Sequence, residues 1–425
     1  MRTIQKRLLT IALPVVLENF LQAALGLVDG YLVAQIGLVA ISGVAVANQI
    51  MTLYQAVFMA LVGVFSGLLA QAKGQHQSNK EDDLIRQGVM LTLILGLFFG
   101  LLSVFAGDAL LGLLGTISEV KQLGRTYLFY VGGSSVLLGL NLTLSAIARV
   151  RGLVNFPLWV SFLTNLINLF LSSWAIFGLK QGVIGVALAT MLARMLGLVL
   201  MLRKLDLTLN WQFCKPVITR QLLSQFLPAL AERLMMRFGD VVTLAMITSL
   251  GTKTLAASSL GETLSQFNYL PALGLSTAVL ILVAEENQNK QNQSDYLKQA
   301  YFLAAAAMLV MSGSIYVFGN FLLGLFTQDR QVLTEGKIVL LYSFLGSPIT
   351  AGVLVLTGFW QALRQSQLPF YATSIGMWLI RIGLGYLFIY HYGLGLTGLW
   401  LATLLDNSWR LAYLLFYYRY RFMKT

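Results

Sequence analysis

Long apolar runs separated by short polar connections repeat along the whole chain. A helix needs about 20 apolar residues to cross a bilayer core that is about 30 Å thick, and the pattern contains twelve such runs. The predicted spans are 11–35, 44–70, 87–114, 125–148, 157–177, 182–202, 222–250, 256–284, 298–326, 336–362, 368–392 and 395–418. The pattern therefore predicts an all-α integral membrane protein with twelve transmembrane helices.

Composition supports a lipid bilayer as the surrounding medium. The chain is 57% hydrophobic and 11% charged, with a mean hydropathy of +0.75, which is far from the composition of a soluble domain. The net charge of +12 lies in short connections and forms no single stripe, so we expect no nucleic-acid partner. Two His and one Cys are too few ligands for a typical Cys/His metal site, and we expect neither a metal nor a cofactor.

The basic residues also predict the orientation in the membrane. With twelve spans both termini share one side, and 18 of the 29 Lys and Arg residues fall there against six on the other side. Cytoplasmic connections are enriched in Lys and Arg. We therefore expect both termini in the cytoplasm and a multi-pass location in the inner or plasma membrane.

The chain contains two similar halves. Residues 14–37 align without gaps with residues 228–251, which places Glu18 on Glu232. Pro157 on Pro369 and residues 185–192 on 398–405 match at nearly the same offset. This repeat predicts two pseudo-symmetric six-helix bundles, 1–204 and 222–425, joined by a polar cytoplasmic linker at 205–221. Such a plan is typical of secondary transporters, and neither an intramembrane enzyme nor a scaffold requires it.

The first span carries two carboxylates, Glu18 and Asp29. A charge at the centre of the bilayer costs roughly 2.5–3.5 kcal/mol on insertion scales, so both residues are candidates for function. With Gln22 they share one face of a helix. Because loss of water favours the neutral form of a carboxyl group, Asp29 is suited to exchange a proton or a cation. Glu18 and Gln22 are candidates for a substrate cavity.

The second half carries charged residues of both signs but no equivalent of Asp29, because Thr243 stands at the matching position. Ion coupling is therefore expected in the first half. The charged and flanking positions in the second half either neutralise one another in salt bridges or line a substrate cavity. The candidates are Glu232, Met236, Arg237, Asp240, Glu262, Arg381, Asp406 and Arg410.

Neutral polar residues in the fifth and sixth spans complete the candidate coupling site. Asn168, Ser172 and Thr190 offer oxygen atoms that can coordinate an ion or bond Asp29, although such residues often only join helices. The chain has no GxxxxGK[ST] loop, nucleophile elbow or His-metal pair, so neither ATP-driven transport by this chain nor an enzymatic function is expected.

These residues resemble the multidrug and toxic compound extrusion (MATE) family. The segments that carry the resemblance are LPVVLENFLQAALGLVDGYLVAQIG, LLAQAKG, NLINLFLSSWAIFGLKQGVIGVALAT and GLGLTGLWLAT. The resemblance implies two bundles around a V-shaped cavity and export of drug-like, often cationic amphipathic compounds in exchange for H⁺ or Na⁺. It also implies that Asp29, Asn168 and Thr190 belong to the cation site of the first bundle.

The chain departs from the family pattern at two places. Ser172 stands where the family has a second aspartate, and the NorM-type carboxylates of the second bundle are absent, with Met236 at one position and the acid-free ALRQSQLP segment around the other. A single carboxylate suits a proton better than Na⁺, so H⁺ is the favoured coupling ion. A Na⁺-coupled drug exporter and a flippase of lipids or lipid-linked sugars remain alternatives, and we expect a monomer.

Overall fold

Twelve long helices account for most of the chain. The computed structural model describes residues 2–206, 218–286 and 289–422. The first six helices are α1 (Arg2–Ala34), α2 (Leu38–Gly74), α3 (Ser78–Leu113), α4 (Ser118–Gly132 and Ser135–Val150), α5 (Asn155–Gly178) and α6 (Gly182–Leu205). The other six are α7 (Arg220–Ser249), α8 (Thr252–Glu285), α9 (Lys290–Val317), α10 (Arg330–Ala362), α11 (Gln367–His391) and α12 (Gly395–Phe422).

The predicted spans are confirmed as helical, with two differences. The fourth span, predicted as one helix over 125–148, consists of two segments that meet at an angle of 45°. The ninth span was expected to run over 298–326, but α9 ends at Val317 and a separate short helix, Gly319–Gly324, follows it. Most of the predicted linker lies outside the described residues, because these omit 207–217. The predicted bundle boundaries stay a prediction.

Two helices differ from the others in polarity. Within the described part of the chain, nine helices are long and apolar enough to cross a membrane, and the bent α4 makes a tenth. The remaining two are α7 and α12, which contain several of the charged residues of the second half, among them Asp240 and Asp406. Their charges must therefore find partners inside the protein, because lipid offers none.

The structure forms two compact units. The N-terminal unit is Leu17–Leu223, and the C-terminal unit is Met1–Val16 with Ser224–Thr425. In the N-terminal unit, Tyr54 stacks on Phe99 with ring centroids 4.3 Å apart. In the C-terminal unit, the fully buried Trp360 lies beside Phe359, which also packs against an aromatic residue of α12. Interlocking aromatic side chains thus fix the helices within each unit.

The halves repeat the same backbone turns. Left-handed glycines stand at Gly37 and Gly251 and again at Gly182 and Gly395. Helices α4 and α10 both end in a Schellman turn, in which one residue adopts a left-handed conformation. That residue has φ 90° at Gly152 and φ 58° at Arg364. The amide of Gly152 donates a hydrogen bond to the carbonyl three residues earlier (3.0 Å), and the next amide donates to the carbonyl five residues earlier (2.8 Å). The corresponding distances at Arg364 are 3.1 and 2.8 Å.

We expect Gly152→Ala to lower the free energy of unfolding by about 1 kcal/mol, the cost of a left-handed conformation for a residue with a side chain. An added Cβ at Gly152 meets no atom within 4 Å, so the backbone alone determines this cost. Arg364→Gly should be more stable than Arg364→Ala by a similar amount, since both variants lose the arginine side chain. Thermal unfolding in detergent measures all three, and a Gly152→Ala variant as stable as wild type would contradict the expectation.

Asp329 caps the N-terminus of α10. Its carboxylate accepts hydrogen bonds from the amides of Gln331 (2.9 Å) and Val332 (3.3 Å), which helix N-termini leave unpaired. Lys253 at the start of α8 lies 2.7 Å from the same carboxylate. The hydrogen bond from Lys253, followed by those from the α10 amides, lowers the pKa of Asp329 below its ordinary range.

The Asp329 pair makes one contribution to stability that depends on pH. A carboxyl group with a lowered pKa stabilises the fold above its pKa in the unfolded chain, about 3.9, and this contribution is lost as the pH falls through the lower folded value. Asp329→Asn keeps an acceptor for the α10 amides but has no charge for Lys253. We expect this variant to unfold at a lower temperature than wild type at pH 7, with the difference shrinking below pH 4. A difference that is independent of pH would assign the effect to capping alone.

Candidate functional site

Asp29 lies in the second half of α1, within the N-terminal unit. Its side chain is partly buried, and its Oδ1 atom is fully buried without a hydrogen-bond partner among the described residues. A buried carboxylate oxygen without a partner is costly when the group is ionised. Protonation or a cation removes that cost, so the geometry makes Asp29 a group that gains from binding either.

The three neutral polar residues predicted for this site hydrogen-bond to one another. Asn168 donates from Nδ2 to Oγ1 of Thr190 (3.1 Å) and accepts from the hydroxyl of Ser172 (3.4 Å). Asn168 and Ser172 are buried. Among the residues that the structure describes, no hydrogen bond connects these three side chains with Asp29. They join α5 to α6, and their part in coupling stays a prediction.

Arg194 and Tyr127 are the site residues that sequence reasoning missed. No hydrogen bond or ion pair within 4.0 Å joins either residue to Asp29 in the described part of the chain, and their influence on it is electrostatic only. Arg194 follows Thr190 by one turn on the same face of α6, and that spacing was the available signal. Its Nη1 atom is buried without a hydrogen-bond partner.

Irregular backbone in α4 determines the position of Tyr127. A π-helical turn follows it directly, at Leu128–Gly132, and α4 bends by 45° immediately afterwards. Such turns are frequent at functional sites because they redirect side chains. The second segment of α4 contacts α6, where Asn141 Nδ2 donates to the carbonyl oxygen of Arg194 (2.9 Å). The backbone of Arg194 is thereby held against α4.

Glu18, predicted for the substrate cavity, has a partner inside the N-terminal unit. It is buried, and Oε2 lies 2.5 Å from Nη2 of Arg149 at the end of α4. Gln22, one turn further along α1, is exposed. The face predicted to carry Glu18, Gln22 and Asp29 is thus divided between an ion pair, an exposed amide and a half-buried acid.

The C-terminal unit holds an ionic cluster centred on Asp406. This carboxylate is fully buried and receives two hydrogen bonds from Arg410, at 2.6 and 2.8 Å. Arg381 of α11 lies 2.8 Å from the same group. An added Cβ at Gly376 would collide with Asp406 Oδ1, so only glycine allows α11 to approach the carboxylate this closely.

Asp240 of α7 forms the half-exposed edge of this cluster. Arg237 lies 3.6 Å and Arg381 3.9 Å from its carboxylate. The cluster thus joins α7, α11 and α12, which the repeat pairs with α1, α5 and α6 of the candidate coupling site. The charged residues predicted for a substrate cavity are therefore extensively paired, while Arg237 and Asp240 keep roughly half of their side chains exposed.

The other predicted cavity residues of the C-terminal unit are placed separately. Glu232 is buried, with Oε1 accepting a 3.5 Å bond from Thr373 and Oε2 without a partner. Glu262 accepts a 2.9 Å bond from Ser258 on its own helix. Met236 is partly buried. Among the residues that the structure describes, no group of three or more His, Cys, Asp or Glu side chains is arranged to hold a metal ion.

Comparisons with known proteins agree with this architecture. The MatE family model matches the chain twice, at residues 14–174 and 228–387. The protein named "Uncharacterized transporter YisQ" from Bacillus subtilis is 25% identical, over 94% of this chain and 91% of its own length. "Probable multidrug resistance protein NorM" from Thermotoga maritima is 24% identical, over 96% of this chain and 90% of its own.

Solved structures show the same fold. The crystal structure of a MATE protein in its bent conformation superposes with a TM-score of 0.90 and 19% identity, covering 99% of this chain and 96% of the other. An outward-facing MATE transporter of the MOP superfamily gives a TM-score of 0.88 with the same coverage of both chains. The two family matches start at residues 14 and 228, the same positions at which the sequence repeat aligns the two halves, and together they span most of the chain. The chain therefore belongs to the MATE family of membrane transporters, and its fold is the family's twelve transmembrane helices in two bundles.

Proposed function

We propose that this transporter exports drug-like, often cationic amphipathic compounds in exchange for protons by alternating access. The observation that carries the proposal is Asp29, the one carboxyl group described at the N-terminal site, whose buried Oδ1 has no hydrogen-bond partner. Such a group binds one proton well. It is a poor cage for a monovalent metal cation, which needs several oxygen ligands at once.

The names of relatives support the substrate class. NorM of Thermotoga maritima and MepA of Staphylococcus saprophyticus, "Multidrug export protein MepA", are both about a quarter identical to this chain. We extend drug export from them to this chain. The basic residues of the connections further support a location in the inner or plasma membrane with both termini in the cytoplasm, where the protein acts as a monomer.

The proposed cycle uses the two protonation states of Asp29. Protonation from the outside weakens drug binding and releases the compound outward, and the deprotonated state binds the next molecule from the cytoplasm or the inner leaflet. Reciprocity requires that the drug weaken proton binding by the same factor. Asn168, Ser172 and Thr190 support the site by fixing α5 against α6.

Efflux of a cationic dye from proteoliposomes tests the proposal. The purified chain is reconstituted, and efflux is followed under an imposed H⁺ gradient, an imposed Na⁺ gradient, or neither. We expect dye movement with the H⁺ gradient alone, and movement with the Na⁺ gradient alone would overturn proton coupling. A chain that moves no cationic dye under any gradient, while headgroup-labelled lipid crosses the bilayer faster than in protein-free vesicles, would indicate a lipid flippase.

A further inference from the structure

Helix α1 is shared between the two compact units. It is helical throughout, from Arg2 to Ala34, yet the part up to Val16 packs within the C-terminal unit and the part from Leu17 onward packs within the N-terminal unit. The helix that carries Asp29 is therefore also attached to the C-terminal unit.

The first half of α1 packs closely against α8 of the C-terminal unit. Its buried side chains have the spacing of one helix face: Leu8, Ile11, Ala12 and Val15. Gly274 of α8 makes the approach possible, because an added Cβ would stand 2.8 Å from the carbonyl oxygen of Ala12 and would collide with a side chain of α1. The two backbones thus lie against each other, with no room for a side chain at position 274.

Arg7 makes a second attachment, at the connection between α8 and α9. Its Nη1 atom donates hydrogen bonds to the hydroxyl of Tyr296 (2.6 Å) and to Oε1 of Glu286 (3.3 Å), and Nη2 lies 3.8 Å from the carboxylate of Glu285. Asn292 of α9 in turn donates from Nδ2 to Oε2 of Glu286 (2.8 Å). The groups that receive Arg7 are therefore held in place by the C-terminal unit itself.

The attachments of α1 differ in how easily they can open. On the N-terminal side, the ion pair of Arg149 and Glu18 has side chains that are only 15% and 8% exposed. The Arg7 side chain is 49% exposed. Breaking a buried ion pair leaves charges without compensation, whereas water can replace the partners of an exposed arginine at little cost. When the units rearrange, the attachment of Arg7 is therefore the one that opens.

We propose that Arg7, Glu286 and Tyr296 form a clasp that fastens α1 to the C-terminal unit in one access state of the transporter and opens in the other. This proposal rests on the alternating access of the proposed function. Because α1 belongs to both units, a rearrangement of the units must strain or release one of its attachments. Arg7 is thus a positioning residue, which acts on Asp29 through the shared helix and contacts neither the proton nor the drug.

The first test measures opening of the clasp and needs no transport. The native Cys214 is replaced by Ser, spin labels are attached at the exposed positions Gln5→Cys and Gln291→Cys, and double electron–electron resonance gives the distance between them. We expect a short and a long distance, with the ratio of long to short about fivefold higher in R7Q, the effect of losing one exposed ion pair. R125Q removes an exposed pair of the N-terminal unit and should leave the ratio unchanged. A single distance, or a ratio that R7Q does not change, would overturn the proposal.

The second test holds the clasp closed during transport. Arg7→Cys and Tyr296→Cys, again without Cys214, are joined by thiol cross-linkers that a reductant cleaves, with either a short or a long spacer. The short spacer should stop proton-driven dye efflux, and either reduction or the long spacer should restore it.

The matched control for the cross-link joins D108C to R125C, which replace an exposed ion pair within the N-terminal unit. The same reagents should leave its efflux unchanged. Efflux that continues in the short-linked clasp variant would overturn the proposal, and so would an arrest that is equal for both spacers or equal in the control. If the clasp variant shows no efflux before linking, the resonance distances decide.

The two tests separate this proposal from the proposed function. Wild-type vesicles that show no proton-driven efflux would contradict the proposed function, while the resonance distances would still decide whether Arg7 holds a clasp. Proton-driven efflux together with a single distance would instead retain the function and reject the clasp.

Discussion

Asp406→Ala is expected to lower the free energy of unfolding by about 3–5 kcal/mol, the range for removing one member of a buried ion pair. The carboxylate is fully buried and is bonded by Arg410 and Arg381. Its removal leaves two guanidinium groups without their shared partner, and Arg410 is itself 4% exposed. Thermal and denaturant unfolding of the purified protein in detergent measures the change.

Asp240→Ala is the matched control for Asp406→Ala. Asp240 contacts arginines in the same cluster, but at 3.6 and 3.9 Å and with 46% of its side chain exposed. Half-exposed pairs contribute at most about 1 kcal/mol. A similar decrease in the free energy of unfolding for both variants would show that Asp240 and Asp406 contribute equally to stability and that Asp406 is not the centre of the cluster.

The fold was predictable because its determinants are local in sequence. Twenty apolar residues predict a span whatever its neighbours are, and aligned landmarks such as Pro14 and Pro228 show the repeat without any contact being known. The structure adds turns of matching conformation at Gly152 and Arg364. Their equivalence is visible in the backbone and invisible in the residue types, which is why the sequence comparison missed it.

The partners of the charged residues were less predictable. Asp406 and Arg410 stand four residues apart on one helix, the spacing at which side chains meet, and they form an ion pair. Glu18 and Arg149 are 131 residues apart, and helical periodicity assigns a face to each residue without saying which helix that face meets. Spacing alone puts Arg194 on the face of Thr190, but it could not show that this face meets the helix of Asp29.

Asp29→Asn is expected to reduce proton-driven dye efflux to the leak rate of protein-free vesicles. Asparagine has nearly the same shape as a protonated aspartate but cannot exchange a proton, so the step that couples the proton to the drug is lost. Folding should be retained, because Oδ1 makes no hydrogen bond that an amide would break. Efflux and thermal unfolding are measured on the same preparation, and undiminished efflux would exclude Asp29 as the coupling residue.

Asp108→Asn supplies the matched control for Asp29→Asn, since it makes the same chemical change on α3 at an exposed pair with Arg125 (2.9 Å). It should keep wild-type efflux. Equilibrium dye binding then separates coupling from general damage: Asp29→Asn imitates the protonated state, so its dye affinity at high pH should equal that of wild type at low pH and should not change with pH. Binding that keeps the wild-type pH dependence in Asp29→Asn would require a second titrating group, and the partly unsatisfied Glu232 would be the next residue to substitute.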